Sequence, residues 1–209
     1  MRRCDCLPLK LCLLLALAAC GPNADSGEPP PDPPAYAVGD RLPTKSGARS
    51  AAAYREAAWD ELIPPDWDPA EIFAGLDLDA LQDADPRADA ALRKMRQAWD
   101  NAPANPRMQG QAIRIPGFVV PLDADGGALR EFLLVPYFGG CIHVPPPPAN
   151  QIIHVFAQSP LEDVRAMDAV WVSGTLDIDH TNSQMGNAGY SMKAQKVEPF
   201  QWGSAERGP

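Results

Sequence analysis

The sequence predicts an α+β fold, in which a small five-stranded OB-like β-barrel spans residues 106–202 and helices over 50–105 pack on it. Two observations indicate this class. Apolar residues recur at helical spacing as far as residue 101, and short runs rich in Ile, Val and Phe replace that pattern after Asn105-Pro106. Five such runs, with a short helix between the third and the fourth, fit an OB-like barrel, and a small β-sandwich is the alternative.

Three helices are predicted in the first part of this domain. The first covers 51–62 and stops at Pro64-Pro65, because the residue before a proline disfavours helical geometry. Asp68-Pro69 supplies an N-cap and a first-turn proline for the second helix, which we expect to end at Gly75. Asp85-Pro86 opens the third. Its apolar stripe is expected to be core packed against the β domain, and it consists of Ala88, Leu92, Met95 and Trp99.

The β runs alternate with turn signals. Pro116-Gly117 interrupts the first run and predicts a bulge or a sharp bend. The glycine-rich segment 123–127 predicts a turn, and 160–166 has room for only a short helix. The five predicted strands span 111–122, 131–137, 152–157, 169–176 and 190–200.

The first twenty residues have the features of a lipoprotein signal peptide. Arg2-Arg3 precedes an apolar stretch over 11–19, and Leu17-Ala18-Ala19-Cys20 is a lipobox. The apolar stretch is shorter than the roughly 20 residues that span a bilayer. We therefore expect residues 1–19 to be cleaved and Cys20 to be acylated; an uncleaved membrane anchor is the alternative. Gly21 after the lipidated residue favours the outer membrane, with the chain facing the periplasm.

Two segments are predicted to be disordered. Residues 20–49 contain a proline-rich centre over 29–34 and little apolar surface, so we interpret them as a tether. Residues 203–209 form a short tail. The formal net charge of −9 argues against nucleic acid as a partner, because phosphate backbones require basic surfaces. The expected partners are the membrane, through the lipid, and components of an envelope transporter.

The chemistry is expected in the segment 139–151, which combines a thiol, an imidazole and four consecutive prolines. The prolines favour a stiff polyproline conformation. If the backbone over 141–143 is extended, Cys141 and His143 share a face, and such a pair suits a divalent metal such as zinc. Cleavage leaves Cys141 as the one unblocked thiol of the mature chain. The motif residues are Gly140, Cys141, His143, Pro145, Pro146, Pro147, Pro148, Asn150 and Gln151.

Two alternatives stay open for this motif. In the first, Cys141 is a buried apolar side chain and the segment is a structural or partner-docking loop without metal. In the second, Cys141 is a reactive thiol with His143 as its base, but the sequence names no third group and no oxyanion hole. His154 and His180 are weaker candidates for additional metal ligands. Asn150 and Gln151 are expected to bond backbone groups rather than a substrate.

The motif resembles the signature of a bacterial family catalogued as domain of unknown function 3299. The resemblance covers about residues 54–202, and the run from Trp59 to Pro64 is a second match. Members of that family resemble periplasmic lipoproteins. The resemblance implies zinc handling linked to an ABC-type transport system as the context. Because the sequence shows no nucleophile elbow and no paired acid, a non-enzymatic binding or accessory protein is favoured over an enzyme.

Overall fold

A computed structural model of the 209-residue chain describes residues 35–44, 54–73, 86–122, 128–142 and 146–201. Within these ranges the fold is mostly β-sheet with a single α-helix, which agrees broadly with the predicted α+β class. The strands are β1 (Arg55–Glu56), β2 (Gln111–Pro121), β3 (Leu129–Val135), β4 (Ile153–Leu161), β5 (Ala169–Ser183) and β6 (Gly186–Pro199). The helix is α1 (Pro86–Asp100), and short 3-10 helices lie at Trp59–Leu62, Pro69–Phe73, Pro106–Met108 and Ala149–Gln151.

The six strands form one sheet in the order β1-β2-β3-β4-β6-β5, and β2 also pairs with β5. The hydrogen-bonded neighbours β2, β3, β4, β6 and β5 therefore lead back to β2. The pairs β1–β2 and β4–β6 are parallel, and the others are antiparallel. β2 reaches both partners because residues 111–118 pair with β5 and residues 118–121 pair with β3.

The bulge predicted at Pro116-Gly117 is absent from the pairing of β2 with β5, whose register runs unbroken through both residues. The glycine has a different role there. A Cβ atom at Gly117 would lie 2.7 Å from Leu134 Cγ on the neighbouring strand, closer than packed carbon atoms approach. Gly117 therefore allows β3 to cross close to β2. The register shifts occur instead in the β3–β4 pair and in the β5–β6 pair.

Both faces of the central strands are buried. Ile113, Ile115 and Val119 of β2 pack into a first apolar cluster. Phe118 and Val120 point the other way into a second cluster. Strand β3 alternates in the same manner, because successive side chains of a strand point to opposite faces. In that strand the first cluster receives Phe132 and Leu134, and the second receives Leu133 and Val135.

Part of the predicted tether is packed against the sheet domain. Residues 35–44 fall within the range 20–49 that was predicted to be a tether, yet they cover the second cluster. Leu42 is buried there, and the ring of Tyr36 meets the Phe118 ring edge-on at a centroid distance of 5.0 Å. Arg41 forms a β-bridge with Tyr137. The free energy gained by burying the Leu42 and Tyr36 side chains therefore outweighs the tendency to disorder that the proline-rich composition suggested.

The first predicted helix is not formed in the part of 51–62 that the structure describes. Residues 55–56 are β1, and only one 3-10 turn follows at Trp59–Leu62. The Ala57 N–H donates to the Arg114 carbonyl at 2.9 Å, and the Trp59 indole N–H donates to the Pro116 carbonyl at 2.7 Å. These bonds to β2 replace helical hydrogen bonds, and tertiary contacts override a weak local propensity.

The third predicted helix exists, but its stripe is not core. α1 spans Pro86–Asp100, and none of its residues is buried. Leu92 is 46% exposed, and Trp99 is half-buried. The expectation that this stripe packs into the β domain is therefore wrong. The second predicted helix is a 3-10 turn at Pro69–Phe73, and its expected end at Gly75 lies outside the described residues.

The helix predicted over 160–166 is also absent. Pro160 and Leu161 belong to the end of β4, where Leu161 pairs with Leu129. The chain then turns toward β5, and the Asp168 carboxylate accepts the Arg165 N–H at 2.8 Å. This bond and the one from the Asp168 N–H to the Arg165 carbonyl at 3.2 Å stabilise the turn that precedes β5.

Tyr190 of β6 joins the N-terminal segment to the sheet. It is fully buried, and its hydroxyl donates to the Leu62 carbonyl at 2.6 Å and accepts the Asn105 N–H at 2.6 Å. The Asn105 side chain donates to the Glu61 carbonyl at 2.7 Å. Burial raises the pKa of Tyr190 to about 12, so the hydroxyl keeps its proton at physiological pH. The buried polar groups of three segments thus find their hydrogen-bond partners around Tyr190.

We predict that Tyr190→Phe lowers the free energy of unfolding by about 1–3 kcal/mol, because the Leu62 carbonyl and the Asn105 N–H keep only their mutual 3.3 Å bond. Urea denaturation measures the change. Tyr54→Phe is the matched control, since the Tyr54 hydroxyl donates to Gln195 at an exposed site, and its effect should stay below about 0.5 kcal/mol. Equal losses in both variants would contradict the role assigned to Tyr190.

Candidate functional site

The motif loop, residues 139–151, connects the end of the β3 region to β4. The structure describes it except for residues 143–145, so His143 and Pro145 lie outside the described residues. Gly139 opens the loop with a positive φ of 85°. Pro148 has φ −55° and ψ 150°, which is the polyproline geometry predicted for the proline run. The loop closes with the 3-10 turn at Ala149–Gln151.

The extended backbone expected at Cys141 is not what the structure has. Cys141 adopts φ 66°, and the Ile142 N–H donates to the Gly139 carbonyl at 3.2 Å, so these residues form a turn. A non-glycine residue in the left-handed region is uncommon and requires support from its surroundings. The simple alternation that would put Cys141 and His143 on one face therefore does not apply at this position.

The Cys141 thiol is packed among apolar groups. Its side chain contacts the second cluster, to which Ile152 and Ala188 belong. A Cβ atom at Gly186 would lie 3.5 Å from the Cys141 sulfur, 3.1 Å from Ile152 Cδ1 and 3.2 Å from Pro146 Cβ. These distances place the sulfur in the small space that Gly186 leaves open. Burial raises the pKa of the Cys141 thiol from 9.0 to about 12.

Asn150 and Gln151 tie the loop to two distant segments. The Gln151 side-chain amide donates to the Trp59 carbonyl at 2.9 Å, and the Asn150 side-chain amide donates to the Pro103 carbonyl at 3.0 Å. Both side chains are buried. The expectation that they bond backbone groups is confirmed, although the carbonyls belong to distant segments and not to the proline run. The two sequence motifs, around Trp59 and around Gln151, are thus in direct contact.

His154 lies on β4 with both ring nitrogens engaged. Its Nε2 is 2.7 Å from a Glu131 carboxylate oxygen, and its Nδ1 is 3.0 Å from the Thr181 hydroxyl. The Phe156 ring lies over the imidazole at a centroid distance of 4.3 Å. A neutral imidazole in this position donates to the carboxylate and accepts from the hydroxyl. The sequence does not indicate this cluster, since its members come from three strands and share no local pattern.

His180 is exposed and lines a polar cleft between the end of α1 and the β5–β6 hairpin. The other lining residues are Asp100, Asn101, Asn182 and Asn187. His154 and His180 therefore lie in different surroundings. The described neighbours of the Cys141 thiol are apolar groups and include neither histidine.

Across the part of the chain that the structure describes, no group of three or more His, Cys, Asp or Glu side chains is arranged to hold a metal ion. His143 lies outside that part, so zinc binding by Cys141 and His143 stays a prediction. The same holds for acylation at Cys20 and for the signal segment 1–19, which precede the first described residue. No helix in the described ranges is long and apolar enough to cross a bilayer.

The structure is that of a mostly β protein in which the motif loop is hydrogen-bonded to the segment around Trp59. The sequence profile of the DUF3299 family, described as a protein of unknown function, matches residues 59–199. The chain therefore belongs to the DUF3299 family, as the motif resemblance indicated. No functionally curated protein matches the chain.

A solved structure supports the assignment. The crystal structure of a DUF3299 family protein from Pseudomonas aeruginosa PAO1, at 2.45 Å resolution, is 35% identical in sequence and superposes with a TM-score of 0.57. The match covers 73% of this chain and 99% of that chain. The matched region thus makes up nearly the whole of a chain that was crystallised.

We predict that Cys141 reacts with a small alkylating reagent at pH 8 roughly a hundredfold or more slowly than an unhindered cysteine, because little of it is thiolate when its pKa is raised. Mass spectrometry of timed samples measures the rate. The same protein in concentrated urea is the control and should react at the ordinary rate. A folded rate within tenfold of the unfolded one would show that the thiol is accessible and acidic, contrary to its apolar packing.

Proposed function

We propose that this DUF3299 protein is a non-enzymatic binding module of the cell envelope, lipid-anchored and periplasm-facing, which docks a partner protein through the motif loop. A transporter component of the envelope is the class of partner that the family resemblance favours. In this proposal an OB-like barrel is the scaffold that carries the motif loop. In its support, the pairings lead from β2 through β3, β4, β6 and β5 back to β2, with β4 parallel to β6. OB-like barrels commonly present loops as binding surfaces.

The observation that carries the proposal is the combination of a clamped loop and an exposed apolar tip. Asn150 and Gln151 hold the loop's C-terminal end through buried hydrogen bonds. Near its other end Ile142 is 40% exposed, directly after the half-buried Cys141. A loop end that is already held in place loses little conformational entropy on binding, so more of the contact energy appears as affinity.

A second exposed apolar residue lies on a neighbouring segment. Val38 is 53% exposed, and the next residue, Gly39, donates its N–H to the Phe138 carbonyl at 2.9 Å. The Phe138 N–H in turn donates to the Asp40 carbonyl at 2.9 Å. The turn with Val38 is thus bonded to the segment that leads into the loop. A partner with an apolar patch and a basic rim suits these residues and the acidic charge of the chain.

The thiol chemistry favours docking over catalysis. A cysteine nucleophile requires a lowered pKa, whereas burial raises the pKa of Cys141 to about 12. The His154 imidazole has a carboxylate partner, but both of its ring nitrogens are engaged by Thr181 and Glu131. These observations support a protein without a thiol-dependent reaction.

Zinc handling through Cys141 and His143 is the competing proposal. Zinc binds the thiolate, so metal binding would have to displace a proton from a thiol that its apolar surroundings keep protonated. That cost weighs against zinc as the ligand of this loop.

Site-specific photo-crosslinking in the native cells tests docking. A photoreactive residue at Ile142 should give a discrete adduct, while the same residue at Phe156, which is 41% exposed on β4, should not. Introducing Val38→Lys should reduce the Ile142 adduct at least fivefold if the two residues share one surface. Adducts of equal yield from both positions, or none from Ile142, would overturn the docking proposal.

Calorimetry separates docking from the zinc proposal. The chain from Ala35 onward, titrated with zinc, should show the same weak affinity in the wild type and in Cys141→Ser. A loss of more than tenfold in the variant would establish zinc as the ligand, and binding that weakens on acidification would agree with it, since the ligands would take up protons.

A further inference from the structure

A polar cleft lies between the C-terminal end of α1 and the β5–β6 hairpin. Its volume is about 530 Å³, and the described residues that line it are Asp100, Asn101, His180, Asn182 and Asn187. Small-molecule sites commonly measure ~300–1,000 Å³, whereas one water molecule in the liquid occupies about 30 Å³. The cleft is therefore large enough for a small organic ligand and much larger than a bare ion requires.

Most of the polar groups in the cleft are not used by the protein itself. Within the described ranges, four of the five lining side chains, all except that of Asn101, make no hydrogen bond or ion pair with another residue. The Asn101 side-chain amide donates to the Gln97 carbonyl at 2.7 Å, which leaves its side-chain oxygen as an acceptor. Donors and acceptors of the cleft are thus available to a ligand.

The hairpin wall of the cleft has a defined geometry. Asn182 and Asn187 are directly opposite each other in the β5–β6 pair, so their side chains share a face. The Ser183 hydroxyl oxygen accepts the Met185 N–H at 3.2 Å and the Gly186 N–H at 3.1 Å, which fixes the turn that joins the two strands. A wall that is already ordered loses little conformational entropy when a ligand binds.

The motif loop contacts the chain at both walls. The Asn150 side-chain amide donates to the Pro103 carbonyl at 3.0 Å, shortly after the end of α1. On the hairpin side, a Cβ atom at Gly186 would lie 3.2 Å from Pro146 Cβ, so the loop packs closely against the turn. The loop therefore helps to set the distance between the two walls.

The lining offers N–H donors as well as oxygen acceptors. The Asn182 and Asn187 carboxamides supply both, whereas the Asp100 carboxylate only accepts. A metal cation would use the acceptors and leave the N–H groups unpaired, and an anion would be repelled by Asp100 and by the formal net charge of −9. An apolar ligand would leave all of these groups unpaired. Hydroxyl groups both donate and accept, so a ligand rich in hydroxyls pairs with both kinds of group.

We propose that this cleft binds a saccharide. The Asp100 carboxylate accepts hydrogen bonds from sugar hydroxyls, and the Asn182 and Asn187 side chains donate to some hydroxyls and accept from others. A neutral His180 imidazole adds one donor and one acceptor. The proposal does not depend on the docking function, since Ile142 is not among the residues that line the cleft.

Titrations followed by two-dimensional NMR test the proposal. Because 99% of the crystallised Pseudomonas chain is matched by this fold, we expect the chain from Ala35 onward to fold by itself. The probes are maltose and N,N′-diacetylchitobiose, two neutral disaccharides of which only the second carries acetamido groups. With at least one of them we expect saturable shifts of the backbone amides over 100–102 and 180–187, with a dissociation constant of about 1 mM or lower.

Two matched pairs of variants locate the binding. Asp100→Ala should weaken it about tenfold or more, because hydrogen bonds to a charged group are stronger than neutral ones, whereas Asp163→Ala, at an equally exposed class of carboxylate, should not. Asn187→Ala should weaken binding about threefold or more, whereas Gln158→Ala, which removes an exposed carboxamide of β4, should not. Circular dichroism confirms that each variant is folded.

Three results would overturn the proposal: no saturable shift with either disaccharide, shifts that lie outside the two walls, or equal weakening in the members of each pair. Zinc chloride, titrated separately, identifies the alternative occupant. If zinc shifts the amides of the two walls and neither disaccharide does, the cleft is a metal site that uses Asp100 and His180, and the saccharide proposal is wrong.

Discussion

The hydroxyl of Tyr190 is the contact on which the arrangement of the N-terminal segment depends. It lies inside the first apolar cluster and bonds both the Leu62 carbonyl and the Asn105 N–H. A buried polar group without a partner costs about 1–3 kcal/mol, so segments that supply these partners are held in place. The segment around Trp59 consequently behaves as part of the sheet domain, although it contains only two residues of strand and one 3-10 turn.

The need of buried polar groups for hydrogen-bond partners also explains the polar residues of the motif loop. Gln151 bonds the Trp59 carbonyl, and Asn150 bonds the Pro103 carbonyl, so the loop is fixed to the same two segments that Tyr190 bonds through Leu62 and Asn105. The prolines reduce the conformational freedom of the loop, and Gly186 leaves room for the Cys141 sulfur. The motif is therefore in large part a structural device. Among the residues of the loop that the structure describes, only Ile142 is exposed, which is why the proposed function is docking.

The sequence predicted the β part of the fold well, because runs of Ile, Val and Phe are typical of strands that are buried on both faces. It failed over 51–62, where the spacing of Ala58 and Leu62 is equally consistent with a helix and with a short segment laid on a sheet. The deciding bonds, from Ala57 and Trp59 to β2, join residues 57 positions apart. No local pattern contains that information.

The loop before β4 was predicted from the sequence, but its backbone geometry was not. The sequence predicted an extended backbone over 141–143, whereas Cys141 lies in a turn and its side chain packs against an apolar cluster. The cluster of Glu131, His154 and Thr181 was missed because its residues lie 23 and 27 positions apart and meet only through strand pairing. The position of α1 at the surface was not predicted for a related reason, since an apolar stripe does not by itself specify how deeply it is buried.

Native-state hydrogen exchange by NMR tests the central claim, that buried polar bonds make the N-terminal segment one cooperative unit with the sheet. The decisive signals are the Asn105 N–H, bonded to Tyr190, and the Ala57 N–H, bonded to Arg114. Both should exchange with the same opening free energy as the amides of β4 and β6, because they open only when the sheet unfolds. If they exchange by local opening while the sheet amides stay protected, the segment is an independent attachment and the account is wrong.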